Sequence, residues 1–224
     1  MILLSYTLSE QIPAYGNGAR PIVTKVRDIE QGDTSNQFRF ELSSHHGTHV
    51  DCPYHFDSAG KKVTDYSAEF WDCGKSVLLV MERKPNPGEK IGKVLMNSSR
   101  CICSEDVSEE NAEIILLKTG WCYERDSEDY MIRAPAIDID VAGYIRNRFP
   151  SARFFGLDLI SISSYTDRPL GRESHQKFLK HEKPILLIED MDLRNIQRSP
   201  GRVLVSPIFL AGSDASPCTV WANL

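Results

Sequence analysis

The sequence predicts a single α/β or mixed α+β domain. A length of 224 residues fits one large domain better than two small ones, and 41% hydrophobic with 25% charged residues is ordinary globular composition. Such a chain can bury a substantial core, so it needs neither metal nor disulfides merely to fold. Short apolar runs interspersed with a few helical patterns indicate the α/β or α+β class. We therefore treat residues 1–224 as one domain.

Seven apolar runs have the length and flanking residues typical of strands. The run QFRFEL from Gln37 alternates, so we expect one of its faces to meet solvent. The runs EIILLKT from Glu113 and PILLIED from Pro184 are continuous, which is typical of strands buried on both faces. The remaining four runs begin at Ile2, Ser76, Ala152 and Arg202.

Three segments have helical patterns. SEDVSEENA starts with a good N-cap, Ser104, and has acidic residues in its first turn. DIDVAGYIRNRF from Asp138 has apolar residues at helical spacing and is terminated by Pro150. GRESHQKFLKHE from Gly171 places its apolar residues on one face. Helices are therefore fewer than strands.

Composition excludes several classes of partner. The net charge of −5 and the scattered basic residues disfavour nucleic-acid binding. No apolar run approaches the length of a membrane span, and the first residues, MILLSYTLSE, lack the features of a signal peptide. The six cysteines are spread along the chain, so we expect free thiols rather than a disulfide framework. The sequence thus predicts a cytoplasmic protein.

Four of the six histidines lie in one stretch, SHHGTHVDCPYHF, residues 44–56. Gly47 and Pro53 exclude an α-helix here, so the stretch is extended or looped. In extended chain, residues two apart point to the same side. His46 has the opposite parity and points away. The side chains that share one side are those of His45, His49, Asp51 and His55.

This pattern predicts a metal site. Imidazole nitrogen with carboxylate oxygen suits Zn²⁺ or Mn²⁺, and a catalytic metal needs few protein ligands and an open position for water. The stretch supplies His45, His49 and Asp51 as candidate ligands. His175 in a helical segment and Glu189 at the end of an apolar strand are candidates for the remaining ligands.

His55 is the candidate catalytic acid/base. It follows the three candidate ligands and can lie beside the metal-bound water, where it would accept a proton and later donate it.

Other kinds of site are less well supported. No nucleophile elbow of the form GxSxG and no glycine-rich phosphate loop is present. Cys52 could be a nucleophile between two histidines, but its parity favours packing. A metal-binding regulatory protein without turnover is an alternative of a different class, although such a protein does not need His55.

Each candidate substrate-binding residue has two possible roles. Aromatic side chains can form a pocket or pack in the core. Arg20 and Arg168 can hold a substrate carboxylate, or simply be solvated. The aromatic candidates are Tyr15, Phe70, Trp71 and Trp121.

The histidine stretch resembles the signature HxGTHxDxPxHF of the cyclase family of metal-dependent hydrolases, which it matches in full from His45 to Phe56. Further similar segments are LLKTGW, FFGLDLISIS, GRESHQKFL, ILLIEDMDL and GSDASPCTVWA. The resemblance therefore covers nearly the whole chain. It implies a compact β/α fold with a barrel-like core flanked by a few helices.

The resemblance also implies an activity: hydrolysis of a small amide, imide or lactone by metal-activated water. An arylformamidase-like reaction of the kynurenine formamidase type is the prediction, with cyclic imide or lactone hydrolysis of the isatin or dienelactone type as alternatives. His55 would be the acid/base, one or two Zn²⁺ or Mn²⁺ ions would bind, and a homodimer or homotetramer is expected. The implied metal ligands are His45, His49, Asp51, His175 and Glu189.

Overall fold

One ten-stranded mixed sheet dominates the structure, a computed structural model that describes residues 1–224. In chain order the strands are β1 (Ile2–Leu3), β2 (Ile22–Arg27), β3 (Gln37–Glu41), β4 (His49–Asp51), β5 (Asp72–Cys73), β6 (Ser76–Val80), β7 (Lys90–Ile91), β8 (Arg100–Cys103), β9 (Ile114–Lys118), β10 (Ala136–Ile137), β11 (Phe154–Leu157), β12 (Leu186–Glu189), β13 (Arg202–Pro207) and β14 (Ala215–Asn223). The order within the large sheet is β5-β13-β14-β4-β12-β11-β9-β6-β8, and β1 pairs with β14. Strands β7 and β10 form a small parallel ladder, and β2 and β3 form a separate hairpin.

The centre of the sheet is parallel and buried on both faces. Strands β12, β11, β9 and β6 run parallel to their neighbours, while β4 and β8 pair antiparallel on either side. Residues Ile114–Leu117 of β9 and all of β12 are buried. The continuous apolar runs from Glu113 and Pro184 are thus explained by a sheet with no solvent-facing side here.

The two faces of the sheet border separate cores. Ile115 and Leu117 of β9 point into one core, together with residues of all four helices, whereas Ile114 and Leu116 point into the other. Valines from β13 and β14 also lie in the second core, because the sheet curls so that its far strands approach the central ones. The predicted single α/β domain with a barrel-like, curled mixed sheet is confirmed.

Four α-helices flank the sheet: α1 (Lys93–Asn97), α2 (Glu128–Ile132), α3 (Asp140–Arg148) and α4 (Arg168–Leu179). Helix α3 is the one predicted from Asp138, and it ends before Pro150. Helix α4 starts three residues before the predicted Gly171, because the Asp167 side chain accepts a hydrogen bond from the Leu170 N–H and caps the first turn. None of these helices combines the length and apolarity that crossing a membrane requires.

The helix predicted from Ser104 is wrong. The segment forms two successive turns, closed by bonds from the Val107 N–H to the Ser104 carbonyl and from the Asn111 N–H to the Ser108 carbonyl. The Asn111 side chain accepts from the Ser108 N–H as well, which favours the turn over a helix. Acidic residues in the first turn do not stabilise a helix here, because the segment has no apolar face to bury.

The hairpin formed by β2 and β3 differs from its prediction. The alternating run from Gln37 is a strand, but all residues of both strands are exposed, including Phe38 at 57% and Phe40 at 61%. Neither face of this hairpin packs on the rest of the chain. The alternation therefore marks a surface that the chain itself leaves uncovered.

Candidate metal centre

The histidine stretch reaches the site through a turn, a short strand and a 3₁₀ turn. Gly47 has φ +66°, a left-handed conformation that glycine adopts readily, and a Cβ there would lie 2.7 Å from Leu8 Cδ2. His49 and Asp51 are two residues apart in β4 and face the same side, as predicted. His55 ends a 3₁₀ turn that starts at Pro53. The stretch is thus looped around a strand rather than extended throughout.

The partner strand and helix α4 bring the distant candidates to the same point. In the antiparallel pairing of β4 with β12, Glu189 stands opposite His49. His175 lies on the buried face of α4. The structure therefore places His175 and Glu189 beside the residues of the histidine stretch.

Asp51 faces three histidines, and Glu189 faces two. Asp51 Oδ1 lies 3.5 Å from His49 Nε2, and Asp51 Oδ2 lies 3.5 Å from His175 Nε2. Glu189 Oε2 lies 3.4 Å from His49 Nε2, and Glu189 Oε1 lies 3.4 Å from His175 Nε2. His45 adds a nitrogen, with its Nδ1 3.0 Å from Asp51 Oδ1. All five predicted ligands therefore surround one small volume.

The two buried imidazoles are held with a lone pair toward the carboxylates. His49 Nδ1–H donates to the Gly47 carbonyl at 2.8 Å, and His175 Nδ1–H donates to the Gly171 carbonyl at 2.7 Å. In neutral histidine the Nε2 atom is then the unprotonated one. Fixing the far nitrogen in this way is how proteins orient metal-binding histidines.

Polar atoms at the centre lack hydrogen-bond partners. His49 Nε2 and both oxygens of Asp51 are buried without a hydrogen bond. Buried polar atoms are costly when unpaired, so a group that satisfies them is expected. Zinc–nitrogen distances of about 2.0–2.1 Å place two ligands of one tetrahedral ion about 3.3 Å apart, close to the observed spacing. The donor set and its spacing fit a divalent cation.

The electrostatics of the cluster favour positive charge. Burial alone would lower the pKa of His175, but the adjacent Asp51 and Glu189 carboxylates raise that pKa to about 10. Burial would likewise raise the pKa of Glu189, but His175 and His49 lower it to about 2. Both carboxyl groups at the centre therefore stay ionised. Without a metal, the same carboxylates hold a proton on His175, and a divalent cation would take the place of that proton because a metal binds the neutral imidazole.

Asp214 joins His55 to His45. Its Oδ2 accepts hydrogen bonds from His55 Nδ1 at 2.8 Å and from His45 Nε2 at 3.1 Å. These two bonds outweigh burial and hold the pKa of Asp214 well below its usual range. Asp214 lies in the segment GSDASPCTVWA, where no local pattern assigns it a role, because only the fold brings it to His55.

A cavity of about 380 Å³ opens over the cluster. Tyr15, Ser161 and Ser163 contribute hydroxyl groups to its wall, and burial together with Glu189 raises the pKa of Tyr15 to about 12, so this hydroxyl stays protonated. Ser161 and the Ile162 N–H both donate to Glu189 Oε1, at 3.1 and 2.7 Å. The other lining residues are His45, His49, Asp51, His55, Phe56, Ile160, Arg168, Arg172, His175 and Glu189.

The comparison with known families agrees with this geometry. The model of the family described as "Putative cyclase" matches residues 2–164. The chain belongs to the cyclase family. Its full HxGTHxDxPxHF stretch, His45 to Phe56, lies within the matched residues. Five residues of the stretch line the cavity: His45, His49, Asp51, His55 and Phe56.

Relatives of this cyclase-family chain carry enzyme names. A kynurenine formamidase of Bacillus cereus is 26% identical over 188 residues, which cover 84% of this chain and 80% of the relative. Isatin hydrolase A from Labrenzia aggregata has a TM-score of 0.74 at 16% identity, covering 99% of this chain and 93% of that one. A "predicted metal-dependent hydrolase" from Bacillus stearothermophilus has a TM-score of 0.71 at 21% identity, covering 99% and 96%. These structural matches show that the fold is shared.

Other residues considered in the sequence lie outside the cyclase-family site. Cys52 is fully buried in the second core, and burial raises the pKa of its thiol, so a nucleophilic thiolate is disfavoured. Trp121 is buried and donates its indole N–H to the Pro85 carbonyl. Phe70 and Trp71 pack around Phe154. Of the four aromatic candidates, Tyr15 is the one that lines the cavity.

Three further residues considered in the sequence are His46, Arg20 and Arg168, and only Arg168 lines the cavity. His46 Nδ1 accepts a hydrogen bond from the Ser43 N–H, and His46 Nε2 donates one to the Ala19 carbonyl. The side chain therefore stabilises the surface turn. Arg20 is exposed and does not line the cavity, whereas Arg168 does.

A second polar cluster lies directly behind Glu189. Asp190 accepts two hydrogen bonds from Arg125, at 2.8 and 2.6 Å, and one from the Tyr130 hydroxyl at 2.7 Å. The Arg125 guanidinium also stacks 3.7 Å from the centroid of the Tyr6 ring. The Thr48 hydroxyl donates to the Asp190 carbonyl. This cluster anchors the end of β12 against the histidine stretch.

Proposed function

We propose that this cyclase-family chain is a metal-dependent hydrolase that cleaves a small amide-type substrate, with residues 1–224 acting as one catalytic domain. The observation that carries the proposal is the group of buried, unbonded atoms of His49 and Asp51, which converge where both buried imidazoles present a lone pair. Hydrogen bonding within the chain does not satisfy these atoms, and a divalent cation does. The ligands are His45, His49, Asp51, His175 and Glu189.

The proposed metal is Zn²⁺ or Mn²⁺, because imidazole and carboxylate ligands suit both ions. We propose that these ligands would hold one or two ions per chain.

When bound, the ion lowers the pKa of water to about 7 and polarises the substrate carbonyl. His55 takes up the proton released at attack and donates it to the leaving nitrogen. Asp214 holds His55 Nδ1, so that the other ring nitrogen is free to exchange that proton. The Ser161 hydroxyl and the Ile162 N–H keep Glu189 oriented.

The proposed substrate is an aryl formamide. The curated relatives that support this choice are named kynurenine formamidase and match most of the chain. Hydrolysis of a cyclic imide or lactone uses the same groups, so an activity panel must contain both kinds of substrate.

We further propose a homodimer or homotetramer. The hairpin of β2 and β3 exposes Ile22, Phe38 and Phe40, and a nearby loop exposes Phe209 and Leu210. Exposed apolar patches of this kind mark interfaces, and a second copy offers the same surface. Sedimentation of the wild type, of Phe38→Ser/Phe40→Ser and of the matched control Val94→Ser on α1 tests this. An unchanged mass in the double variant contradicts it.

The proposed location is the cytoplasm. All six cysteines are free, and free thiols are typical of reducing compartments.

The decisive experiment measures metal content and turnover together in protein prepared without chelator. His55→Ala should retain the metal and lose about a hundredfold or more in kcat, since general acid–base catalysis contributes about 10²–10⁴. His181→Ala, on an exposed residue after α4, is the matched control and should change neither quantity.

Two outcomes would contradict the proposal. Bound metal without turnover of any formamide, imide or lactone favours the non-catalytic regulatory protein. Protein that takes up neither Zn²⁺ nor Mn²⁺ excludes the metal centre itself.

A further inference from the structure

Two arginines face the cavity from the same side as a proposed metal ligand. Arg168, Arg172 and His175 all line the cavity, and all three belong to α4. Residues four and three apart share one face of a helix. At a rise of 1.5 Å per residue, Arg172 lies about 4.5 Å and Arg168 about 10.5 Å along the axis from His175. The arginines therefore form the rim above the metal centre.

Neither guanidinium is neutralised within the chain. Arg83, Arg133 and Arg202 each pair with a carboxylate, whereas Arg168 and Arg172 have no carboxylate within 4.0 Å. The acidic neighbour Asp167 pairs with Lys90 instead, at 3.1 Å. The rim thus carries two positive charges that are free to bind a ligand.

The rim around Arg168 is also shaped by aromatic rings. The Arg168 guanidinium lies 5.8 Å from the centroid of the Tyr165 ring, which meets Tyr15 edge to face at 5.7 Å. The Tyr15 ring in turn lines the cavity. A flat substrate held by Arg168 would therefore lie along an aromatic wall.

We propose that Arg168 and Arg172 bind an anionic group of the substrate, so that this enzyme prefers small amide-type substrates carrying a carboxylate. The inference rests on the proposed hydrolase function and adds the substrate class. Guanidinium groups bind carboxylates by paired hydrogen bonds. Because the arginines lie about one and two helical turns from His175, the anionic group must be several bonds from the carbonyl that is attacked.

The test uses two matched formamides, formanilide and 4-formamidobenzoate, which differ only in the carboxylate. The quantity compared is the ratio of kcat/KM for the anionic substrate to kcat/KM for the neutral one, in metal-loaded protein. Taking the ratio removes any change in folding, metal content or chemistry that affects both substrates. The variants are Arg168→Gln and Arg172→Gln. Arg198→Gln is the matched control, since Arg198 is exposed and does not line the cavity.

We expect each cavity variant to lower the ratio by about tenfold or more, mostly through KM, because a charge-assisted hydrogen bond is lost. Arg198→Gln should leave the ratio unchanged. A ratio that stays constant in both cavity variants overturns the inference, while turnover itself would still support the hydrolase.

A binding measurement separates this inference from the proposed function. Calorimetry compares the affinity of metal-loaded protein for benzoate with that for the neutral isostere benzamide. If the wild type hydrolyses no formamide, imide or lactone of the panel, the proposed function fails. A preference for benzoate that disappears in Arg168→Gln and Arg172→Gln then still supports the anion site, and a preference unaffected by both variants overturns it.

Discussion

Glu189 and Asp190 are consecutive carboxylates at the end of β12, both almost fully buried, at 3% and 2% exposure. Asp190 is paired with Arg125 through two hydrogen bonds and with the Tyr130 hydroxyl through a third. Glu189 faces the Nε2 atoms of His49 and His175 at 3.4 Å, with the buried Asp51 carboxylate beside it. The Asp190 cluster contains a permanent cation, Arg125, whereas the Glu189 cluster contains only titratable imidazoles as partners for its carboxylates.

The comparison distinguishes a structural cluster from a binding site. A buried charge is tolerated when a partner of opposite charge and hydrogen bonds accompany it, as around Asp190. Around Glu189 two carboxylates share two imidazoles whose far nitrogens already donate to carbonyls, so the central atoms still need a cation. Unsatisfied polar atoms in a folded core therefore indicate a ligand more directly than residue type does.

The largest expected effect comes from Glu189→Gln. The amide is a weaker ligand than the carboxylate, so we expect at least about a hundredfold lower affinity for Zn²⁺ or Mn²⁺ and a corresponding loss of turnover. Metal content by elemental analysis and thermal melting with and without chelator measure this. The metal should stabilise the wild type by about 2.7 kcal/mol at a hundred times its Kd, and the variant far less.

Glu173→Gln is the matched control for that prediction, because Glu173 is an exposed acid on α4 with no part in the cluster. Equal metal content in the wild type and Glu189→Gln would show that Glu189 is not a ligand.

The candidate residues of the proposed metal centre could be picked out from the sequence because most of them are close together in the chain. His45, His49 and Asp51 fall within seven residues, and the shared parity of His49 and Asp51 is kept in β4. The Asp190 cluster could not be predicted in this way. Its partners Arg125 and Tyr130 are 65 and 60 residues away, and only tertiary packing brings them together.

The same distinction holds for the fold. The continuous apolar runs predicted the buried central strands, because burial on both faces requires apolar residues throughout. Strand β14 was not predicted, since Ser216, Pro217 and Thr219 interrupt its apolar pattern. With that strand unseen, the sequence could not indicate that Asp214, just before it, meets His55.

The second-largest expected effect is the loss of stability in Arg125→Ala, because this variant leaves the Asp190 carboxylate buried without its cation. Breaking a buried pair in this way costs about 3–5 kcal/mol of unfolding free energy, and the stacking on Tyr6 is lost as well. Chemical denaturation measures the change. Arg133→Ala removes an exposed i,i+4 pair with Asp129 and should leave the free energy of unfolding nearly unchanged, because solvent screens such a pair. Similar losses in both variants would contradict the structural role of Asp190.

A smaller effect is expected from Tyr130→Phe. The ring still fills the core, but Asp190 loses the hydrogen bond from the hydroxyl, which costs about 1.5–3 kcal/mol for a charged acceptor. Combined with Arg125→Ala, the loss should be less than additive, because both variants act on one carboxylate. Denaturation of the single and double variants measures this coupling, and strict additivity would show that the two groups act independently.

Thr48 lies between the Asp190 cluster and the metal centre, and its substitutions should have the smallest effect on stability. Its hydroxyl donates to the Asp190 carbonyl and accepts from the Tyr6 N–H, while its neighbour His49 points into the metal centre. Thr48→Val leaves both buried groups unpaired and should cost roughly 1–3 kcal/mol in unfolding free energy, whereas Thr48→Ser keeps the hydroxyl and should lose about 0.8 kcal/mol or less for one methyl group. Because this bond supports Asp190 rather than the ligands, metal affinity should change by less than about threefold in both variants. A loss of more than about threefold in metal affinity would mean that the two clusters are coupled. The Asp190 cluster would then also set the geometry of the metal centre.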